Sequence, residues 1–158
     1  TKILSKYSIE IILIGNYVDK NWFEKNISKF GNRIKITYHG FQPQDELIDF
    51  YLSSDIFIHP ARFPEPFNRT ILECISCHLP CIMSDLSGAS YFFKDSTLSF
   101  KNNDHNDLAK KIRVLLSSKE LQKELTSKAF KTLIKNHSSD TIVENILQEY
   151  KKVVEGND

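Results

Sequence analysis

Short apolar runs that stop at a glycine or a proline alternate along this chain with stretches whose apolar residues recur every three or four positions. That alternation leaves few folds open. Residues 9–15 (IEIILIG) are almost wholly apolar and Ile-rich, as in a parallel strand buried on both faces, and stop at Gly15. Trp22, Phe23, Ile27 and Phe30 then follow at helical spacing up to Gly31, with Asn21 placed as the N-cap. Residues 34–38 alternate as a half-buried strand and run into His39-Gly40, after which 44–53 carry Leu47, Ile48, Tyr51 and Leu52 on a helical stripe. A third strand over 55–60 leaves its sheet at Pro60, which has no amide to donate. The pattern then predicts a helix over 68–77, strands over 80–84 and 97–100, and helices over 106–116, 119–136 and 139–154.

Strands alternating with helices, followed by a helical tail, predict an α/β fold: a Rossmann-like, doubly wound parallel sheet with C-terminal helices. Such sheets bind ligands beyond the carboxyl ends of their strands. Gly15-Asn16, His39-Gly40-Phe41 and the loops over 62–67 and 85–88 all fall on that edge. With 158 residues, one domain with one core is expected. A formal charge of +1 excludes the strong field of a non-specific nucleic-acid binder, so no nucleic-acid partner is expected. No apolar run approaches the length of a membrane span, and the start has no signal-peptide core, so a cytoplasmic location is expected.

Cys74, Cys77 and Cys81 are odd in number and lie within eight residues, which reads as reduced thiols rather than a disulfide framework. Cys74-Ile-Ser-Cys77-His78 matches the haem-attachment pattern in letters only. Attachment needs export, and free Cys serves well as a small buried residue. No metal ligands or cofactor are assigned. His59 reads as a structural strand-end histidine, His105 and His137 as surface residues, and Phe92-Phe93 as core packing for a short helix.

The chemistry concentrates in Glu65-Pro66-Phe67-Asn68-Arg69-Thr70-Ile71-Leu72-Glu73. The first turn of the predicted helix, Asn68 to Thr70, leaves backbone N–H groups and the positive end of the helix dipole toward the crevice, which suits a diphosphate. Arg69 and the loop cation Arg62 are candidate phosphate contacts. Glu73, about 5–7 Å of helical rise further in, can accept hydrogen bonds from both vicinal hydroxyls of a ribose. Glu65, on the other side of the diphosphate, is placed for sugar hydroxyls.

This segment resembles the Glu-x7-Glu motif of retaining glycosyltransferase family 4, of the GT-B type. The preceding His59-Pro60, the following Cys77-His78-Leu79-Pro80-Cys81 and the stretch Ser84-Asp85-Leu86 resemble the family's Pro-Ser, Cys-Gly-Leu-Pro-Val and Ser-Asp-Ile-Pro. The resemblance runs from about Ile9 into the C-terminal helices. It implies a donor-binding domain in which Glu65 contacts the donor sugar as the catalytic residue and Glu73 the ribose. The diphosphate would lie at Phe67, Asn68, Arg69 and Thr70, and Gly15, His39, Gly40 and Phe41 near the nucleotide base. The donor would be a UDP-, GDP- or ADP-sugar. Transfer would be metal-independent, with retention at the anomeric carbon, to a glycan or lipid-linked acceptor in bacterial surface-polysaccharide synthesis. Peripheral association of the full-length protein with the inner face of the plasma membrane is compatible with this setting.

Asn68 and His78 stand where the family usually has Gly, and at least one of them is expected at positive φ. Ala61 replaces a usual Ser, and Tyr91 a frequent acidic residue. Ahead of the segment matching Ile9 the family carries another strand, a Gly-Arg turn and a phosphate-gripping Lys, besides an N-terminal acceptor domain. On that basis residues 1–158 are expected to be one nucleotide-sugar-binding domain lacking its first strand, inactive alone, with 1–8 the end of a helix. The strands flanking the gap are expected to pair directly or to accept a strand from another molecule. Two other readings are a nucleotide-sugar epimerase, disfavoured by the Glu-x7-Glu spacing, and a non-enzymatic α/β nucleotide-binding or assembly module.

Overall fold

A computed structural model describes residues 7–16, 20–27 and 34–156. The α/β order read from the sequence is the one observed: β1 (Ile9–Leu13), α1 (Lys20–Ile27), β2 (Ile34–Tyr38), α2 (Gln44–Ser53), β3 (Phe57–His59), α3 (Arg69–Ser76), β4 (Cys81–Ser84), α4 (Ala89–Phe92), β5 (Leu98–Phe100), α5 (His105–Ser117), α6 (Lys119–His137) and α7 (Ser139–Glu155). Asn21 falls inside α1 and does not cap it. Phe30, Gly31 and residues 1–6 of the expected leading helix lie outside the described residues. The chain divides into two compact units, Thr1–Ser53 and Ser54–Asp158. Among the described residues the strands form two parallel sheets, β1-β2 in the first unit and β3-β4-β5 in the second.

In the first unit β1 and β2 run in register from Ile9 opposite Ile34 to Leu13 opposite Tyr38. β1 is not buried on both faces as its composition suggested, since Glu10 and Ile11 are exposed. Glu10 instead lies directly opposite Lys35 and pairs with it at 2.7 Å, while the Thr37 hydroxyl donates to the same carboxylate at 2.8 Å. Those two hydrogen bonds, Lys35 first, hold the Glu10 carboxyl below the usual carboxylate range. The Phe23 ring of α1 packs on Tyr38 with ring centroids 5.3 Å apart.

In the second unit β4 is the middle strand and all four of its residues are buried. Side chains alternate across a strand. Ile82 therefore enters a cluster with Phe100, Leu115 and Leu125, over which α5 and α6 pack, and Cys81 and Met83 leave on the opposite face. α3 lies against β4 and α6, burying Ile71, Cys74 and Ile75 almost completely. The helix boundaries follow from side-chain caps. Asp104 accepts from the amides of Asn106 and Asp107, Ser118 from Leu121, and Ser138 from Thr141. Among the described residues no helix is long and apolar enough to cross a membrane.

Candidate functional site

Parallel pairing sets His59, the last residue of β3, opposite Met83 of β4, so both strands deliver their carboxyl ends to one rim. The chain leaves β3 at Pro60, and Glu65 returns to that rim as an isolated parallel bridge with Ser87. Three backbone and side-chain links fix it there. The Glu65 amide donates to Leu86 O at 3.3 Å, the Gly88 amide donates to Glu65 O at 2.9 Å, and the Ser87 hydroxyl donates to Glu65 Oε1 at 3.2 Å. His59 Nε2 contacts the same Oε1 and forms an ion pair with it when protonated. The His59 and Glu65 side chains are 14% and 29% exposed, and Ser87 is buried.

His59 is thus more than a strand-end packing residue, and Ser87 and Gly88, on the loop 85–88 expected at this rim, join the candidate site. The available signal was the pairing of His59-Pro60 before the first Glu with the Ser84-Asp85-Leu86 stretch after the motif. Placement on one rim left open which atoms meet across the 22 residues that separate Glu65 from Ser87. Gly88 is required by space. A Cβ there would lie 1.7 Å from Pro66 O, although Gly88 itself has ordinary helical angles. Asp85 serves the frame, its amide donating to Phe100 O at 2.9 Å and its carboxylate accepting from the Asn102 amide at 2.9 Å.

α3 begins at Arg69, with Asn68 as its N-cap at φ −107°, ψ 124°. The Asn68 side chain accepts from Thr70 N at 2.9 Å and its carbonyl from Ile71 N at 3.2 Å. The expectation that the first-turn amides all stand open therefore needs correction at Thr70, because an Asn in this place caps the helix that a Gly would leave uncapped. Arg62 and Arg69 are exposed, and Glu73, the fifth helical residue, is half-buried.

Phe67 turns into an aromatic cluster, with ring centroids 5.5 Å from Phe92, 6.4 Å from Phe93 and 5.3 Å from His137. Phe93 is fully buried as expected, whereas Phe92 is exposed. His137 is not a surface residue. Its ring is half-buried among these phenylalanines, with Nε2 buried and, among the described residues, without a hydrogen-bond partner.

The end of α3 accounts for His78. Cys77 caps the helix, the His78 amide donates to Ile75 O at 3.0 Å and the Leu79 amide to Cys74 O at 3.0 Å, a Schellman turn that places His78 at φ 54°. One of the two residues replacing Gly does have positive φ, and it is this one. The imidazole stacks on Phe130 at 4.4 Å. Cys74, Cys77 and Cys81 are all free thiols. Cys74 and Cys81 are buried, and burial pushes both thiols up, that of Cys81 to about 12.

In the first unit Gly15 and Gly40 form the corresponding strand-end turns, at φ +123° and +69°. The Gly15 amide donates to Gly40 O at 2.7 Å, and the Tyr38 hydroxyl donates to Gly15 O at 2.6 Å. His39 is tied on three sides. Its amide donates to Leu13 O at 3.0 Å, its carbonyl accepts from Gln42 Nε2 at 2.7 Å, and its ring meets Phe50 edge-on at 4.7 Å. Phe41 is 71% exposed, a large ring presented to solvent on that turn.

Comparison with known proteins agrees with this fold. The family model described as glycosyl transferases group 1 matches residues 1–132. An uncharacterised glycosyltransferase of Methanocaldococcus jannaschii is 25% identical over 98% of this chain, which spans 40% of that protein's length. A crystal structure of a glycosyltransferase from Rickettsia africae superposes with a TM-score of 0.78 at 25% identity, over 99% of this chain and 44% of that one. The Anabaena HepE protein, solved in complex with UDP-glucose, superposes with a TM-score of 0.77 at 19% identity, over 95% of this chain and 43% of that one. With its parallel α/β architecture matching GT-B structures and most of its length matched by the family model, the chain belongs to the glycosyl transferases group 1.

Proposed function

We propose that this chain binds a nucleoside-diphosphate sugar as the donor part of a retaining glycosyltransferase of family 4. The observation that carries the reading is Glu65, a partly exposed carboxylate fixed at the rim of β3 and β4, eight residues before Glu73 on the helix that starts between them. In this reading Glu65 holds hydroxyls of the transferred sugar and Glu73 those of the ribose. The α3 N-terminus, with Arg69 and Arg62, draws the diphosphate through its dipole and its cations. For the base it is the resemblance that points to the first unit, where the Phe41 ring is exposed. Gly15, His39 and Gly40 shape the turns beside it. Phe67, held in the aromatic cluster, supports the start of α3.

One solved neighbour, Anabaena HepE, was solved in complex with UDP-glucose, which makes UDP-sugars the first donors to test, with GDP- and ADP-sugars beside them. The reaction needs no metal in this account, because the helix end and the arginines offset the charge of the departing diphosphate. The acceptor, a glycan or lipid-linked sugar of surface-polysaccharide synthesis, would be bound by a separate N-terminal domain. The full protein would work in the cytoplasm, at the inner face of the plasma membrane, and this chain alone would bind donor without transferring it.

Isothermal titration of the chain with UDP-glucose, GDP-mannose and ADP-glucose tests the proposal. Saturable binding that Glu73→Ala weakens by about a hundredfold or more is expected, since two hydrogen bonds to a charged group, about 1.5–3 kcal/mol each, are lost. Absence of saturable binding to all three would favour a non-enzymatic assembly module instead.

A further inference from the structure

The Glu65 carboxylate is held at one oxygen by two donors from different strands' ends. Ser87 Oγ donates to Oε1 at 3.2 Å and His59 Nε2 contacts the same atom, whereas Oε2 takes no part in either contact. A carboxylate only accepts, so the imidazole Nε2 carries the hydrogen in this contact. His59 sits on the last residue of β3, its ring stacked on Phe57 with centroids 6.3 Å apart and 17° between planes, and it pairs in register with Met83 of the fully buried β4. Both donors are less exposed than the group they hold, His59 paired within β3 and Ser87 bridged to Glu65. An unrestrained glutamate would have to freeze three side-chain torsions when it meets a ligand. Here the inner edge of the carboxylate is already anchored.

We propose that His59, with Ser87 as its second, is a positioning residue that pre-orients Glu65 so that Oε2 is presented to the donor sugar. This rests on the reading of Glu65 as the sugar-contacting carboxylate. Among the described residues the hydrogen-bond partner of the His59 ring is Glu65 Oε1, so His59 acts on the sugar through that carboxylate and not on the nucleotide. A merely structural role for the pair would affect both ligand halves alike, and the two roles therefore separate in a ratio of affinities.

Titration of the chain with UDP-glucose, GDP-mannose and ADP-glucose, each beside its nucleoside diphosphate, sets the reference ratio for the donor that binds. His59→Phe keeps the ring's shape and its packing on Phe57 but has no N–H. It is expected to weaken the nucleotide sugar by about tenfold while leaving the nucleoside diphosphate within about twofold. His59→Gln, which restores an N–H donor, is expected to recover most of the loss. Equal loss for both ligands in a variant that melts like the wild type, or an unchanged ratio, overturns the positioning role alone. If His59→Phe fails to fold by its circular-dichroism melt, Ser87→Ala removes the other donor and decides on the same ratio. No binding of any of the three donors by the wild-type chain overturns the donor-binding reading and this inference with it.

Discussion

Gly88→Ala is the smallest change that addresses how the site is built. Gly88 has φ −58° and ψ −30°, which alanine adopts without strain, so the backbone conformation gives no reason for a glycine. The reason is proximity. A Cβ at this position would lie 1.7 Å from Pro66 O, 2.7 Å from Pro66 C and 3.0 Å from Glu65 O. All three are backbone atoms, so no side chain can swing aside, and the strand-end segment must retreat by about 1 Å or more. Such overpacking costs about 1–3 kcal/mol. The retreat also pulls on the Gly88 amide bond to Glu65 O and on the Ser87 and His59 contacts to Glu65 Oε1. Urea unfolding is expected to show a midpoint lower by about 1 M at an unchanged slope. Nucleotide-sugar affinity should fall by about tenfold, since a misplacement of about 1 Å is felt strongly at such sites. Stability within about 0.5 kcal/mol of wild type together with unchanged donor affinity would refute the clash and the clamp at once. Gly15→Ala is the natural contrast, because among the described residues its Cβ meets nothing within 4 Å, and the cost expected there is that of φ +123°.

At position 78, Ala and Gly both lose the stack on Phe130, but only Gly relieves the left-handed backbone at φ 54°. His78→Gly should therefore be more stable than His78→Ala by about 1 kcal/mol in thermal or urea melts. Asn68→Gly removes the side chain that occupies Thr70 N and should cost only a few tenths of a kcal/mol in stability. In the same variant the free nucleoside diphosphate should bind about two- to threefold more tightly, and weaker binding would show that Asn68 itself holds the phosphate. Hydrogen bonds from the amides of Asp107 and Asn106, the former the larger, hold the Asp104 carboxyl below the usual carboxylate range. A depressed value means that its stabilisation is present above about pH 4, where the unfolded group is ionised, and is lost as pH falls through the lower folded value. Asp104→Asn keeps the cap, so its acid melting profile should lack this component.

Much of the architecture was legible because strand and helix periods differ and because Gly and Pro punctuate them. Residues 44–53 were readable as α2 from four apolar residues on one stripe, and β4 from a run bounded by Pro80 and Asp85. The candidate site was legible as a motif for the same reason. Glu65 and Glu73 are close in sequence, and their spacing across a helix start is a local property.

Contacts closed over long separations were not legible. Ile9–Leu13 has the letters of a fully buried strand, yet Glu10 and Ile11 are exposed, because burial depends on what covers a strand and not on the strand itself. Asn68 could be named as a stand-in for Gly, but whether it would take positive φ or cap the helix depended on the entry angle of the loop. His137, polar by sequence, lies among three phenylalanines because α6 ends beside Phe67 and α4. By itself, then, the sequence determined the β/α order, the Glu-x7-Glu segment and the family to which they point. Only the tertiary structure decided that His59 and Ser87 meet on one oxygen of Glu65, and that Gly88 must stay bare beneath Pro66. Those contacts form when two parallel strands bring their ends together, and no local pattern of residues encodes that meeting.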